Sequence, residues 1–469
     1  MQITFVRRRV AASLLGAAAL VTGTLAHSSG FALQENSGSG LGNAYAGGAA
    51  AAEDAGTVWT NPAGMSRLKQ REAMQAIHLI IPSHKFSNDG SVPALNQPLG
   101  GSGGDAGGLN VIPNLFVVVP YNQQIAFGLG VNVPFGLTTE YDDGWAGRYQ
   151  GIKSQVKTIN VQPSVSWKVN DRLSLGLGVD WQWISARLTS DANYSAGIAQ
   201  GAQQAAAGGQ IPAAMVPAIL GATAGLDSRV TVKGDDNGWG FNLGALYEIS
   251  PATRVGVHYR SEIKYRLRGD VDFNHPSLPA LPPALVPAVA TISNGVNQAL
   301  YNGDVHARIT LPQTMNLSVF HQINDRWDIM ADLQWTGWSS IRNLTFVRNE
   351  GPVLQNTPEN FDDTWRVAVG ANYRVNDRWK VRGGLAFDQS PVNDADRTPR
   401  LPDADRVWLS IGAQYKHSER LIFDAGYTYV IVDDASIDTN AGSTPQNALL
   451  RGNYRSNVNL LSVQAVLRF

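Results

Sequence analysis

The sequence of 469 residues has no cysteine, almost no net charge and no long apolar run beyond its first residues. A formal net charge of -1 provides no basic surface for nucleic acid and no acidic tail typical of disorder. The lack of cysteine is unsurprising in an oxidising compartment that avoids stray thiols. Because no internal segment reaches the roughly 20 apolar residues of a membrane-spanning helix, a membrane location would require a β-barrel.

The N-terminus has the pattern of a secretory signal peptide. Arginines at residues 7–9 precede an apolar stretch over residues 10–21, and residues 24–26 form a small-residue cleavage site. A membrane-anchoring helix is the alternative, but the polar and small residues 22–24 interrupt the apolar run too early. We predict a signal peptide over residues 1–26 and export of the mature chain.

The body of the chain alternates apolar with polar or small residues. From Leu173 to Trp183, one face carries only Leu, Val and Trp, and the other carries Ser, Gly, Asp and Gln. Similar alternation covers residues 327–335 and 365–374, with charges only on the second face. This two-residue period predicts β-strands with one apolar face.

Two all-β architectures produce this pattern. A soluble sandwich has strands of about 5–6 residues, whereas a membrane barrel has strands of about 9–11. The runs here are long, and Trp and Tyr lie near their ends, where the headgroup belts of a membrane would be. The sequence therefore favours a transmembrane antiparallel β-barrel.

Six short turns allow the strands to be counted. They contain Asn, Asp, Ser, Pro or Gln, and most of these residues favour tight turns. The turns lie at residues 121–124, 169–172, 250–253, 323–326, 375–378 and 417–420. Six hairpins with one further strand at each end give about fourteen strands, an even number as bacterial barrels require.

The connections at the other end are long, and two of them are rich in apolar residues. We predict extracellular loops at residues 191–228 and 271–302. Their apolar residues include Met215, Val216, Ile219, Leu278, Leu281 and Leu285. Exposed loops rarely carry so much apolar surface without a ligand or partner, which favours capture of an apolar molecule. Packing of the two loops against each other is an equally weighted alternative and is compatible with a groove between them.

Residues 27–70 differ in composition from the rest of the chain. Gly, Ala and Ser crowd this segment, and a flexible linker is one interpretation. However, it also carries Leu41 and Trp59, with Asp54 and Asn61 as candidate caps. We predict a compact hatch over residues 27–70 that fits inside a barrel over residues 71–469.

A series of short motifs runs along the chain. They lie at residues 31–33, 39–47, 54–56, 61–63, 134–137, 144–149, 335–339, 390–392 and 397–406. Their order and spacing together resemble the FadL family of outer-membrane long-chain fatty acid transporters over almost the whole mature chain. The resemblance implies a Gram-negative outer-membrane location and a fourteen-strand barrel closed by an N-terminal hatch, to which Asn61, Pro62 and Ala63 would belong.

A proline lies inside the third predicted strand. Pro134 cannot donate to the strand ladder, and Gly136 supports backbone geometry that other residues resist. A strand ending at the outer rim explains this pattern as well. The FadL resemblance instead implies an inward kink in the third strand that leaves a lateral hole. On that basis we predict a lateral gate at Pro134, Phe135 and Gly136, although Pro312 also interrupts a strand pattern.

The resemblance implies a hydrophobic cargo and no cofactor. Fatty-acid members of the family use basic residues to meet the carboxylate, but the positions that correspond here, near Ser190 and Asn356, are not basic. Arg187, Lys380 and Arg382 are candidate head-group contacts, and each could instead belong to a charge network in the lumen. We expect a long-chain fatty acid, with an aromatic or aliphatic hydrocarbon as the alternative.

The chain ends in an aromatic residue. Alternation over residues 461–469 continues to Phe469. A terminal aromatic of this kind resembles the signal read by the outer-membrane barrel assembly machinery. We expect that machinery, membrane lipid and the cargo as partners.

Two other function classes fit the sequence less well. Residues 100–104 match G-x-S-x-G but lack the strand and helix of a nucleophile elbow. The histidines His258, His306 and His321 have no spacing typical of a metal site or a catalytic triad. A hydrophilic porin would lack both the hatch and the apolar loops. We therefore expect neither an enzyme nor a porin.

Overall fold

The computed structural model describes residues 30–439 and 448–469, so the predicted signal peptide over residues 1–26 lies outside the described residues. No helix in these two ranges is both long and apolar enough to cross a membrane.

One antiparallel sheet of twenty strand segments closes on itself, because β1 pairs with β20. The segments are β1 (Glu72–Asn88), β2 (Asn110–Pro120), β3 (Ile125–Asn132), β4 (Gly136–Glu140), β5 (Lys153–Lys168), β6 (Leu173–Asn193), β7 (Asp227–Ser250), β8 (Thr253–Arg260), β9 (Ile263–Asn274), β10 (Gly303–Leu311), β11 (Thr314–Gln322), β12 (Trp327–Thr336), β13 (Asn343–Arg348), β14 (Val353–Pro358), β15 (Thr364–Arg374), β16 (Trp379–Asp388), β17 (Arg406–Lys416), β18 (Leu421–Val432), β19 (Ala435–Asp438) and β20 (Arg451–Arg468).

The wall of the barrel has fourteen strands. β3 with β4, β8 with β9, and β10 with β11 each form one interrupted wall strand, and β13, β14 and β19 are short additions at the loop end. The six predicted tight turns connect the strands at the other end, here called the turn end. The predicted fold class and strand number are confirmed.

The barrel is apolar outside and polar inside. In β18, Phe423, Tyr427 and Ile431 face outward and are exposed, whereas Asp424 and Thr428 face inward and are buried. A wall with this alternation presents hydrocarbon-compatible side chains to lipid and satisfies its backbone by strand pairing.

The N-terminal segment, residues 30–68, lies inside the barrel. It contains α1 (Gly38–Leu41), α2 (Gly48–Ala51), α3 (Thr57–Thr60) and a 3-10 helix (Pro62–Arg67). Inward-facing glycines allow its backbone to touch the wall. A Cβ on Gly244 would overlap the Oδ1 atom of Asn61, and one on Gly256 would overlap the carbonyl of Ala49.

Three further helices lie in the long loops: α4 (Tyr194–Ala207), α5 (Val216–Ala222) and α6 (Val286–Ala299). They pack together around buried Ile198, Ile219 and Val289. Short 3-10 helices at Ala213–Met215 and Trp338–Ser340 complete the helical elements of the described chain.

Candidate functional site

The third wall strand is broken at residues 133–135. β3 pairs with both β2 and β5, but β4 pairs only with β5. The stretch of β2 from Asn110 to Asn114 has β1 as its only strand partner within the described chain. The strand therefore continues beyond Pro134 instead of ending there, and the wall is unpaired between β2 and β4.

The chain turns inward at this break. Phe127 and Leu129 in β3 face outward and are 51% and 45% exposed. Strict alternation would also turn Phe135 and Leu137 outward, yet they are only 7% and 6% exposed. The three residues outside the ladder allow the chain to rotate, as in a β-bulge. The apolar face of the strand thus moves from the lipid side to the interior.

The N-terminal segment fills the break. The amide of Leu33 donates to the carbonyl of Pro134 at 2.8 Å, and the amide of Gly136 donates to the carbonyl of Phe31 at 2.9 Å. From β2, the side chain of Asn114 donates to the backbone carbonyl of Glu35 at 2.7 Å. Backbone groups that a neighbouring strand would otherwise pair are satisfied by this segment.

Pro312 lies at a second interruption, between β10 and β11, but the wall stays closed there. The amide of Gly337 donates to the carbonyl of Gln313 at 3.0 Å. The hydroxyl of Ser340 donates to the carbonyl of Thr310, also at 3.0 Å. These bonds come from the segment that follows β12 and bridge the interruption, so Pro134 and Pro312 have different surroundings.

A cavity of about 80 Å³ lies inside the barrel beside β4. Its lining is almost entirely apolar and includes Phe31, Leu137, Val156, Ile184, Leu267 and Phe346. The charged residues that line it are Glu359 and Arg400. An apolar chamber with two ionisable groups suits a molecule that has an apolar body and one polar end.

Arg400 is buried and has no ion-pair partner among the described residues. The residue is 7% exposed. Its Nη1 atom donates to the Ser154 hydroxyl at 3.2 Å and to the Thr189 carbonyl at 3.4 Å. Neither Nε nor Nη2 donates to another residue of the described chain. Burial lowers the pKa of Arg400 to about 10, so the group remains cationic at neutral pH.

Glu359 lines the same cavity and is 8% exposed. No ion pair within 4.0 Å joins it to Arg400 or to any other cation among the described residues. Burial raises the pKa of Glu359 to about 8. The sequence predictions included neither Glu359 nor Arg400 as a site residue, although Arg400 lies within the motif at residues 397–406.

The predicted head-group residues lie elsewhere. Lys380 and Arg382 face inward and bind Glu53 of the N-terminal segment, with N–O distances of 3.4 and 2.7 Å. Arg382 also binds Asp424 at 2.9 Å. Arg187 lies on the outward face of β6 and is exposed. The structure therefore brings Lys380 and Arg382 together around Glu53 of the N-terminal segment. They do not line the cavity beside β4, and Arg187 lies on the other face of the wall.

Glu53 was not predicted from the sequence, and it anchors the N-terminal segment. Burial opposes its ionisation, but Arg382 and Lys380 outweigh that effect and hold the pKa of Glu53 well below its usual range. A half-buried carboxylate held by two cations fixes α2 and the chain that follows it to β16.

The motif Asn61-Pro62-Ala63 fixes another part of the segment. The Asn61 side chain donates to the carbonyls of Ala49 at 2.7 Å and Ala245 at 3.0 Å. Its Oδ1 atom accepts from the amide of Ala63 at 3.1 Å and thereby caps the 3-10 helix that starts at Pro62. Asn61 thus joins the segment to itself and to β7.

The apolar residues predicted for capture mostly pack within the loops. Ile219 and Leu285 are buried in the cluster formed by α4, α5 and α6. The remaining four, Met215, Val216, Leu278 and Leu281, are half-buried against that cluster. Both predicted loops thus form one helical cap, whose half-buried side chains, with the exposed Val286, provide accessible apolar surface.

The residues considered for catalysis are dispersed. A side chain at Gly100 would overlap the carbonyl of Gly144, and one at Gly103 would overlap the ring of Tyr141. His306 contacts Asn349, and His321 contacts Thr253. His258 lines a different interior cavity, also of about 80 Å³.

The turn end of the lumen is wide and polar. A cavity of about 1170 Å³ opens there below the N-terminal segment. Its charged lining residues include Glu53, Asp54, Arg67, Glu72, Arg254, Asp328, Arg374 and Lys380. A chamber with this lining is a poor environment for a hydrocarbon chain.

Comparison with known proteins identifies the family. The family model described as Outer membrane protein transport protein (OMPP1/FadL/TodX) matches residues 19–469. The chain belongs to this family. The resemblance drawn from the sequence motifs and the predicted outer-membrane location of the FadL-family barrel are confirmed.

Named relatives of this FadL-family chain are transport and outer-membrane proteins. It is 31% identical to the long-chain fatty acid transport protein of Escherichia coli K12 over 433 residues, which cover 89% of this chain and 91% of that protein. It is 32% identical to outer membrane protein P1 of Haemophilus influenzae, with 89% of each chain covered.

Solved structures give the same assignment. The crystal structure of a Pseudomonas aeruginosa FadL homologue is 28% identical, with a TM-score of 0.80 over 94% of this chain and 100% of that chain. The Pseudomonas putida toluene transporter TodX, 18% identical, shares the fold with a TM-score of 0.64 over 93% of this FadL-family chain and 99% of its own.

Proposed function

We propose that this FadL-family barrel takes up long-chain fatty acids and releases them sideways into the outer membrane. The observation that carries the proposal is the apolar cavity beside the broken third strand, with a buried cation that has no ion-pair partner in the part of the chain that the structure describes. Arg400 would hold the carboxylate, and the apolar lining would hold the first part of the chain. Burial of each methylene contributes roughly 0.8 kcal/mol.

The cargo would enter from the loop end. The helical cap formed by α4, α5 and α6 offers half-buried Met215, Val216, Leu278 and Leu281 as a first apolar contact. From there the molecule would pass into the cavity lined by Leu137 and Arg400. Capture on a partly apolar surface raises its local concentration before it enters the lumen.

The exit would be the opening between β2 and β4, at Pro134, Phe135 and Gly136. The alternative route continues along the barrel axis past the N-terminal segment and through the polar chamber of about 1170 Å³. A hydrocarbon chain gains nothing from that chamber, whereas the lateral route leads directly into lipid. Displacement of residues 31–33 from the kink would open it.

The N-terminal segment would serve as the hatch of the barrel. Asn61 and Glu53 hold its centre and its α2 end, while residues 31–33 are bonded to the kink. This division allows the first residues to move while the rest continues to block the lumen. The Escherichia coli relative is named as a transport protein, which supports transport without catalysis as the activity of this chain.

Uptake by a host that lacks its own transporter tests the cargo assignment. Cells expressing the wild type should accumulate radiolabelled oleate, and Arg400→Gln should reduce uptake at least tenfold, since a hydrogen bond to a charged group contributes about 1.5–3 kcal/mol. Arg342→Gln is the matched control, because Arg342 is exposed and near the same loops.

Toluene uptake in the same cells distinguishes the second candidate cargo. The mainly apolar lining of the cavity is compatible with a hydrocarbon. If toluene enters equally well with Arg400 or Gln at position 400 while oleate does not enter at all, the barrel is a hydrocarbon importer and the fatty-acid proposal is wrong.

A further inference from the structure

Glu359 is placed in the cavity by its backbone. Its amide donates to the carbonyl of Arg342 at 2.9 Å, and the amide of Asn360 donates to the same carbonyl at 3.0 Å. Asn360 has a positive φ of 40°, and its side chain donates to Asp396 at 3.1 Å. The turn is therefore fixed on both sides, and it directs a buried carboxyl group into an apolar chamber.

The carboxyl group of Glu359 has no structural partner within residues 30–439 and 448–469. Neither oxygen accepts a hydrogen bond from another residue of the described chain, and the group forms no ion pair there. A buried polar group of this kind costs free energy unless something else satisfies it. Glu359 shares one cavity with Arg400, whose Nε and Nη2 atoms also donate to no residue of the described chain, so a ligand in that cavity would satisfy both groups.

Few charged groups lie near Glu359. Arg400 and Asp396, both in the loop before β17, act on it in opposite directions, and Arg342 of its own turn is exposed. The facing strands β5, β6, β9, β10 and β13 contribute apolar side chains and the Ser154 hydroxyl. Burial is the largest effect and raises the pKa of Glu359 to about 8, so the group is mainly neutral at pH 7.

We propose that Glu359 is a specificity-determining residue that, as a neutral carboxylic acid, donates a hydrogen bond to the carboxylate held by Arg400. The inference rests on the proposed function and narrows its cargo to long-chain monocarboxylic acids. A second carboxylate in the same apolar site would repel the head group, so ionisation of Glu359 expels the cargo. An uncharged hydrocarbon would leave both Glu359 and Arg400 unsatisfied.

Binding of dodecanoate to the full barrel in lipid nanodiscs tests this role, measured by calorimetry from pH 6.5 to 9.5. A soluble fatty acid is ionised across this range, so its own charge stays constant. The wild type should lose affinity by about tenfold per pH unit above the pKa of Glu359. Glu359→Gln retains a donor but cannot ionise, so its profile should be flat. Asp362→Asn, an exposed carboxylate in the same loop, should follow the wild type.

The outcomes separate this inference from the proposed function. A flat wild-type profile, or an equal slope in Glu359→Gln, overturns the role of Glu359 while leaving fatty-acid binding intact. No dodecanoate binding at any pH overturns the proposed function and this inference with it. An infrared band of a protonated carboxyl group at pH 7 that is present in the wild type and absent from Glu359→Gln provides a second test under the same conditions, and the absence of any difference between the two spectra overturns the role of Glu359.

Discussion

At the scale of single residues, ionisable side chains have two distinct tasks in this barrel. Lys380 and Arg382 are neutralised by Glu53 and hold the N-terminal segment. Arg400 and Glu359 are buried without such compensation and line the cavity. The difference is one of pairing, since loss of one member of an ion pair leaves the other uncompensated, whereas a buried ionisable group without a partner favours a ligand.

Removal of the Glu53 charge should destabilise the barrel. In Glu53→Gln, Lys380 loses its carboxylate and Arg382 keeps only Asp424, so the free energy of unfolding should fall by about 3 kcal/mol. Guanidinium unfolding followed by tryptophan fluorescence measures it. Glu419→Gln, in an exposed pair with Lys416, should have no measurable effect.

The pH dependence of that difference has a defined sign. The folded-state pKa of Glu53 is depressed, so its stabilisation is complete above the ordinary value of about 4.3 and is lost only as the pH falls towards the depressed value. The gap between wild type and Glu53→Gln should be constant from pH 5 to 8. A gap that shrinks above pH 5 would contradict the assignment.

At the scale of elements, the third strand carries the unusual feature. β3 obeys the alternation of the wall, and β4 has both faces buried. Only the three residues between them separate a lipid-facing strand from one that lines the cavity. Residues 31–33 complete this region as a short strand-like partner to the kink.

A covalent link between the segment and the kink should block transport. Ala32 and Phe135 form an antiparallel bridge, whose partners lie about 4.5–5.5 Å apart at Cα, within the range of a disulfide. The chain has no native cysteine to interfere. Oxidised Ala32→Cys/Phe135→Cys should lose at least 90% of oleate uptake, roughly a tenfold effect that corresponds to 1.4 kcal/mol, and recover it on reduction.

The control for this link replaces the same two residues by serine. That variant should respond equally to oxidising and reducing conditions, so any loss of Phe135 packing is accounted for separately. Undiminished uptake through a fully cross-linked barrel, verified by thiol labelling, would show that the cargo does not leave past residues 31–33.

The strands and their number could be predicted from local sequence signals, whereas the cavity residues Glu359 and Arg400 could not. Turn residues at positions such as 169–172 act over a few residues, and alternation reports which face is apolar. Pro134 marked the break but not the inversion of Phe135 and Leu137, because alternation assumes an unbroken ladder. Glu359 and Arg400 come from two irregular loops, where no periodicity indicates which side chains meet.

At the scale of the whole molecule, a polar tube is blocked by a small folded insert. The lumen holds a chamber of about 1170 Å³ at the turn end and two cavities of about 80 Å³ near the break. The N-terminal segment lies between the large chamber and the loop end. Without it, the polar inner face of the wall would line a continuous aqueous path.

Deletion of residues 31–68 should therefore convert the barrel into a general pore. Liposomes carrying the deletion variant should swell in arabinose, and those carrying the wild type should not. Heat-modifiable mobility on electrophoresis verifies that the barrel has formed. A correctly closed deletion variant that remains impermeable would show that the loops, and not the N-terminal segment, seal the lumen.

The contacts of the N-terminal segment also constrain the order of assembly. The amide of Gly38 donates to Gln464 in β20, 426 residues later, and the amide of Gly30 donates to Asp403, 373 residues later. Such distant pairings form slowly, because loop closure precedes any gain. The N-terminal segment is synthesised first among the described residues, but it can form these contacts only after β20 has been made. The wall therefore closes around a segment that acquires its structure last.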